Sequence, residues 1–268
     1  MKKLSVLAVA FAAVVFASCG GNKSNQPAEQ TDSIKSFEQQ QIEASIKMNL
    51  DSLGSVLGNL KNLPISRDDA KESIKLTKEE LQVKPDYLLS SDVAENATTL
   101  TEKYRIMGAL EIDRKIAALY EMPTDGYDKA ITKLAADIND PSFKGLDEDA
   151  PVSDTTEALY KAMEQNGRIN YFWQIASASL IEQLFILSQN SEKFLTAFND
   201  EAAADATFRL VLVTDAVNRL KEYDPEIEPV AEALKTLDAL NATTVGELKD
   251  QLATSKEAIA AARKAIIK

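Results

Sequence analysis

Residues 153–188 read SDTTEALYKAMEQNGRINYFWQIASASLIEQLFILS, and this stretch decides the fold class. Leu159, Met163, Ile169, Trp173, Leu180, Leu184 and Leu187 fall on one helical stripe, and Phe172, Ile175, Phe185 and Ile186 widen it. A helix that is apolar over so much of its circumference belongs inside a bundle, covered by neighbours on more than one side. Ser153 is the N-cap type of residue. The pattern therefore predicts one long inner helix from Ser153 to Ser188.

Outward from this helix the chain reads the same way. Only 9 glycines and 8 prolines occur in 268 residues, and long stretches of Ala, Leu, Glu, Lys and Gln favour helix. On the N-terminal side, the spacing of Ile34, Phe37, Ile42, Ile46, Leu50, Leu53, Leu57 and Leu60 predicts a helix from Ser33 to about Lys61. Pro64 ends it. Ser66, followed by Asp68 and Asp69, predicts the cap and acidic first turn of a short helix to about Leu81. Residues 85–91 read as a connection. Helices from Val93 to Glu121 and from Tyr127 to Asn139 follow.

The segment 140–153, with Pro141, Gly145, Pro151 and several acidic residues, is the best candidate for a loop or subdomain boundary. Beyond the inner helix, one helix is expected from Ser191 or Asp200 to Tyr223 and another from Pro225 to Leu240. Thr244 and Glu247 then have capping-box spacing for a last helix running to the C-terminus. The expectation is an all-α chain of about eight helices, a multi-helix bundle or stacked helical hairpins. Residues 104–127 and 171–194 can be overlaid as helix, turn, helix with aromatics at both ends, so a TPR-like solenoid is the alternative.

The N-terminus has another character. Lys2 and Lys3 precede an apolar run from Leu4 to Ala17 that only Ser5 interrupts. As a helix this run spans roughly 21 Å, short of the ~30 Å hydrocarbon core of a bilayer. It has the charged start and apolar centre of a signal peptide. Phe16, Ala17, Ser18 and Cys19 resemble the lipobox of bacterial lipoproteins, although Phe16 stands where Leu is most often found. That resemblance implies cleavage before Cys19 and a lipid on its sulfur. The other reading is an ordinary secretory signal followed by a free thiol. Cys19 is the only cysteine, so the chain cannot staple its own fold with a disulfide.

Two or three acyl chains hold a protein much more firmly than one. Gly20 follows the cysteine, with no aspartate to resemble an inner-membrane retention signal, so the resemblance favours the outer membrane. Residues 20–32 are rich in Gly, Asn, Ser and Gln and read as a tether. The expected organisation is a signal peptide over 1–18, a lipidated tether over 19–32 and a helical domain over 33–268. The body resembles helical lipoproteins of Gram-negative envelopes, a likeness that implies an address and no activity.

Chemistry is restricted by what the chain lacks. It contains no histidine, which removes the commonest general base and transition-metal ligand and every Ser-His-Asp arrangement. No phosphate-cradling glycine loop, dinucleotide fingerprint or EF-hand spacing occurs, and Asp147, Glu148 and Asp149 read as a solvated loop. No catalytic residue, metal site or cofactor is expected. The formal net charge of −12 argues against nucleic acid as a partner.

Asp113 and Arg114 on one apolar helix, and Arg168 and Glu182 on the other, suggest either a polar pocket between the two or exposed faces and a structural ion pair. Tyr104, Tyr171 and Trp173 pose a ligand platform against ordinary core. Asp32-Ser33-Ile34, Asp51-Ser52-Leu53 and Asp154-Thr155-Thr156 resemble an O-glycosylation motif of exported proteins, which makes Ser33, Ser52 and Thr155 candidate acceptors, Ser52 within a helix. Two functional classes fit. One is a non-enzymatic outer-membrane lipoprotein that binds an envelope protein or exported ligand, held to the membrane through Cys19. The other is a histidine-free enzyme or small-ligand bundle that works through convergent carboxylates.

Overall fold

A computed structural model of the chain describes residues 37–67, 69–143 and 152–267. Cys19, Ser33, the tether and the acidic run at 147–149 lie outside these residues. Everything described is helix, turn or connection, with no strand among the described residues. The helices are α1 (Phe37–Asn59), α2 (Ala70–Ser73), α3 (Lys78–Gln82), α4 (Leu100–Leu119), α5 (Asp125–Ile138), α6 (Val152–Gln165), α7 (Ile169–Gln189), α8 (Ser191–Phe194), α9 (Asp200–Leu220), α10 (Glu228–Lys235), α11 (Val245–Thr254) and α12 (Lys256–Ile266). The all-α bundle is as expected, but the count of about eight helices is too low. Three of the expected helices are each broken in two, and the separate single turn α8 precedes the helix that begins at Asp200.

The expected helix from Ser153 to Ser188 is two helices. Gly167 adopts φ +66°, and the Arg168 amide donates to the Met163 carbonyl at 2.7 Å, which closes α6 with a Schellman-type turn. Only a residue without a Cβ enters that conformation at little cost. The stripe from Leu159 to Leu187 therefore belongs to two helices that share one core.

The second break concerns Ser66. Its hydroxyl is buried and donates to the Leu63 carbonyl at 3.1 Å, so it caps nothing. The chain forms the single turn α2, buries Ile74 completely, and restarts at Thr77. Thr77 and Glu80 make the reciprocal capping box, with the Thr77 amide donating to Glu80 Oε2 at 2.6 Å and the Glu80 amide donating to Thr77 Oγ1 at 3.2 Å. The third break is at Ser255, which separates α11 from α12. Thr244 caps α11 as expected, accepting from the Glu247 amide at 3.3 Å. The Glu247 carboxylate reaches back to Thr243 rather than to Thr244 itself.

Helix α7 is the centre. It packs against α4, α12, α9, α6, α10 and α11, which is what its wide apolar face requires. Phe172 and Trp173 are sealed in its first turns, Phe172 meeting Tyr160 edge-on at 5.0 Å between ring centroids and Trp173 at 5.2 Å. One continuous core runs from Leu50 to Ile266 and includes residues from both sides of 140–153. The two stretches overlaid as a repeat differ: 104–127 is a long helix, a turn and the start of α5, whereas 171–194 is α7 followed by the single turn α8. Among the described residues no helix is long and apolar enough to cross a membrane.

Candidate functional site

The polar centre of the molecule lies where α4, α7 and α12 meet. Asp113 on α4 and Glu182 on α7 are both completely buried. Arg263 on α12 closes on Glu182 with two parallel hydrogen bonds, Nε to Oε2 at 2.7 Å and Nη2 to Oε1 at 2.6 Å, the fork geometry that makes such pairs strong. The same guanidinium nitrogen is 3.8 Å from Asp113 Oδ2. Its carbon lies 4.0 Å from the centroid of the Phe185 ring, a cation–π contact. Two carboxyl groups thus share one cation.

The connection between α3 and α4 covers this cluster. The Leu89 amide donates to Asp113 Oδ2 at 2.9 Å, and the Leu89 carbonyl accepts from Tyr127 Oη on α5 at 2.8 Å. Tyr87, two residues earlier, meets Phe185 edge-on at 6.4 Å between ring centroids. One backbone residue therefore ties the covering segment to α4 and to α5.

Charge accounting predicts a retained proton. Two buried carboxylates against one guanidinium would leave an uncompensated negative charge in the interior, which is far more costly than binding a proton. Burial, followed by the charge of Glu182, pushes the Asp113 carboxyl up to about 9. Burial also raises Glu182, opposed by the hydrogen bond and charge of Arg263. Asp113 Oδ1 finds no donor, and a hydrogen bond between the two carboxyl groups, which requires a proton on one of them, is among the causes that raise Asp113. Tyr127, facing the same cluster, is pushed up to about 12 by burial and then by the negative charge of Asp113.

Of the four charged residues singled out in sequence, the structure unites Asp113 and Glu182 and separates the other two from them. Arg114, next to Asp113, points elsewhere and pairs with Glu111 at 2.6 Å and with Asp128 at 3.5 Å. Consecutive helical residues lie about 100° apart, so both cannot face one neighbour. Arg168 lies 5.6 Å from the Tyr171 ring centroid and 3.9 Å from Asp140, near a separate group in which Tyr104 Oη donates to Asp140 Oδ2. Tyr104 and Trp173 are core, and Tyr104 stacks on the half-buried Tyr171 at 4.6 Å between ring centroids.

Sequence reading missed Arg263, Arg105 and Arg209. Each is an arginine set between apolar residues at helical spacing: Ile259 and Ile266 flank Arg263, and Ala206 and Val213 flank Arg209. That spacing is the available signal. Arg105 donates Nε to the Ile266 carbonyl at 2.9 Å and Nη1 to Gln174 Oε1 at 3.2 Å, anchoring the end of α12. Arg209 Nη2 donates to the Lys61 carbonyl just beyond α1, and burial pushes this guanidinium down to about 10.

The candidate glycan acceptors are dispersed. Ser52 is exposed on α1, its hydroxyl donating to the Met48 carbonyl at 3.3 Å. The Thr155 backbone belongs to α6, with its side chain outside the described residues, and Ser33 lies outside them altogether. A shallow depression of about 320 Å³ between α9 and α10 is polar, and its Lys221 already pairs with Glu228 and Glu232. No three His, Cys, Asp or Glu side chains gather in a metal-holding group among the described residues. No protein-family model, curated protein or solved structure matches the chain.

Proposed function

We propose that this protein is a lipid-anchored, outer-membrane protein of the bacterial envelope that works by binding a partner protein on one face of its helical body. The lipobox-like sequence ending at Cys19 supports the anchor. The observation that carries the binding role is where the body exposes apolar surface. Among the described residues, five large apolar side chains face solvent, and four of them, Met48, Val56, Phe208 and Val211, lie on α1 and α9, which pack against each other.

Helix α9 buries ten of its 21 residues, yet Phe208 is 44% and Val211 59% exposed. Three residues apart, they share one helical face. Burying a side chain of this size contributes about 1.5–3 kcal/mol, so the pair can supply the centre of an interface. Acidic Glu201, Asp205 and Asp215 lie on the same outward side of α9, which gives the apolar centre a charged rim of the kind seen around interface cores.

The test places a photo-activatable residue at Phe208, at Val211 and, as a control, at the exposed Glu79, in cells of the producing organism. One discrete adduct from both α9 positions, missing from Glu79 and lost from the Val211 probe on Phe208→Asp, is the expected result. Identical adducts from all three positions, or none from α9, would reject the reading.

A second reading, a histidine-free carboxylate enzyme, has one observation in its favour, the buried Asp113–Glu182 pair, in which burial raises both carboxyls. Perturbed acid pairs of this kind do occur at active sites. Both groups have zero exposure in the closed bundle, so substrate would require the covering segment to open. Turnover of an envelope glycan by wild type but not by Glu182→Gln would favour this reading.

A further inference from the structure

Asp113, Glu182 and Arg263 join three helices far apart in sequence, and Leu89 adds the segment that covers them. We infer that this cluster is a proton-dependent clasp, which holds α12 and the 83–90 segment onto the α4–α7 pair while one proton is shared between Asp113 and Glu182 and lets them go when that proton is lost.

The geometry carries the argument. Both carboxyls are fully buried, and among the described residues Arg263 is the single cation that reaches them. The groups that face the pair are Arg263 from α12, Tyr127 from α5, and Tyr87 and the Leu89 amide from the covering segment. Tyr120 of α4 reaches the cluster only through Tyr87. None of these supplies a second positive charge. Deprotonation therefore leaves one buried negative charge without a partner, and solvating it requires the cover to part.

The element that would leave is one short helix. Helix α12 buries Ile259, Ala262 and Ile266 and has the Ile266 carbonyl held by Arg105. Its release would expose apolar surface on α7 and α10, the helices against which it packs.

The direction with pH follows from linkage. The acid binds its proton more tightly in the closed state, so opening releases a proton. Stability from the clasp is fully present below the ordinary carboxyl range and is lost progressively as pH rises toward about 9. One released proton means a tenfold rise in the opening constant per pH unit.

The test measures hydrogen exchange in full-length protein from pH 5 to pH 8, corrected for the intrinsic rate, at peptides covering α12 and residues 83–90. In wild type the opening constant at both should rise about tenfold per pH unit. In Asp113→Asn, which keeps the shape and discards the titration, the rise should vanish. In Arg263→Gln, with two acids and no cation, it should steepen toward a hundredfold per unit. Equal pH dependence in wild type and Asp113→Asn overturns the proposal. Should a variant fail to fold, the wild-type infrared spectrum decides: a protonated, buried carboxylic acid must be present at pH 7, and two ionised carboxylates there would overturn the clasp.

Discussion

Ser179 Oγ donates to the Gly108 carbonyl at 2.9 Å, so α4 and α7 touch through backbone. A Cβ on Gly108 would stand 2.7 Å from the Ile175 carbonyl oxygen and 3.0 Å from Ser179 Oγ, closer than the packed structure tolerates. Glycine in mid-helix is ordinarily a liability of about 1 kcal/mol against alanine. Here the contact outweighs the propensity. Gly108→Ala should destabilise the protein by roughly 1–3 kcal/mol, the range for overpacking a filled core. Denaturant unfolding checks it, and a stabilised variant would mean that the two helices separate freely.

Gly54 makes a related case on the other side. The Tyr160 ring occupies the place of its missing Cβ, and Tyr160 Oη donates to the Leu50 carbonyl at 2.9 Å. Gly54→Ala should displace the ring and loosen α1 from α6. Faster proteolysis within α1, together with a fall of roughly 1–3 kcal/mol in stability, is the expected outcome.

Arg105 is buried among α4, α7 and α12 and holds Gln174 and the Ile266 carbonyl. Arg105→Ala would leave both acceptors without this donor. A hydrogen bond from a charged group contributes about 1.5–3 kcal/mol, so a loss of roughly that size is expected. Hydrogen exchange should accelerate first in α12. Unchanged exchange there would show that the apolar contacts of α12 hold it unaided.

Glu102 receives the amides of Thr98 and Thr99 at the start of α4, and these hydrogen bonds pull its carboxyl down to about 2. A depressed acid stabilises the fold above its unfolded value of 4.5 and loses that contribution as pH falls toward 2. Glu102→Gln should therefore be less stable than wild type at neutral pH and converge with it near pH 2. Parallel stability curves over that range would contradict the assignment.

For the anchor, Cys19→Ala should leave the chain unlipidated and shift it from membrane to soluble fractions, since lipid on that sulfur is the proposed attachment. Intact-mass measurement of the wild-type N-terminus checks the modification directly. Membrane retention of Cys19→Ala with its lipid intact would exclude the anchor.

The sequence carried the helical class, the central position of α7, the cap at Thr244, and Asp113 and Glu182 as residues worth noticing, because each is written in spacing along a single helix. Breaks inside helices were less legible. The apolar stripe continues on both sides of Gly167 and hides the turn there, and Ser66 with its acidic neighbours has the pattern of a cap and first turn. At Ser66 burial overrode the local signal, whereas at Gly167 the break is local and set by a left-handed glycine.

Periodicity and composition determined by themselves that this chain is helical and acidic, since those are properties of neighbours in sequence. Only the tertiary structure decided that Asp113 and Glu182 meet, that Arg263 rather than Arg114 or Arg168 answers them, and that Leu89 seals the cluster. The reason is physical. The cost of a buried charge depends on which groups lie within a few ångströms, and that distance is set by the packing of α4, α7 and α12 around one another.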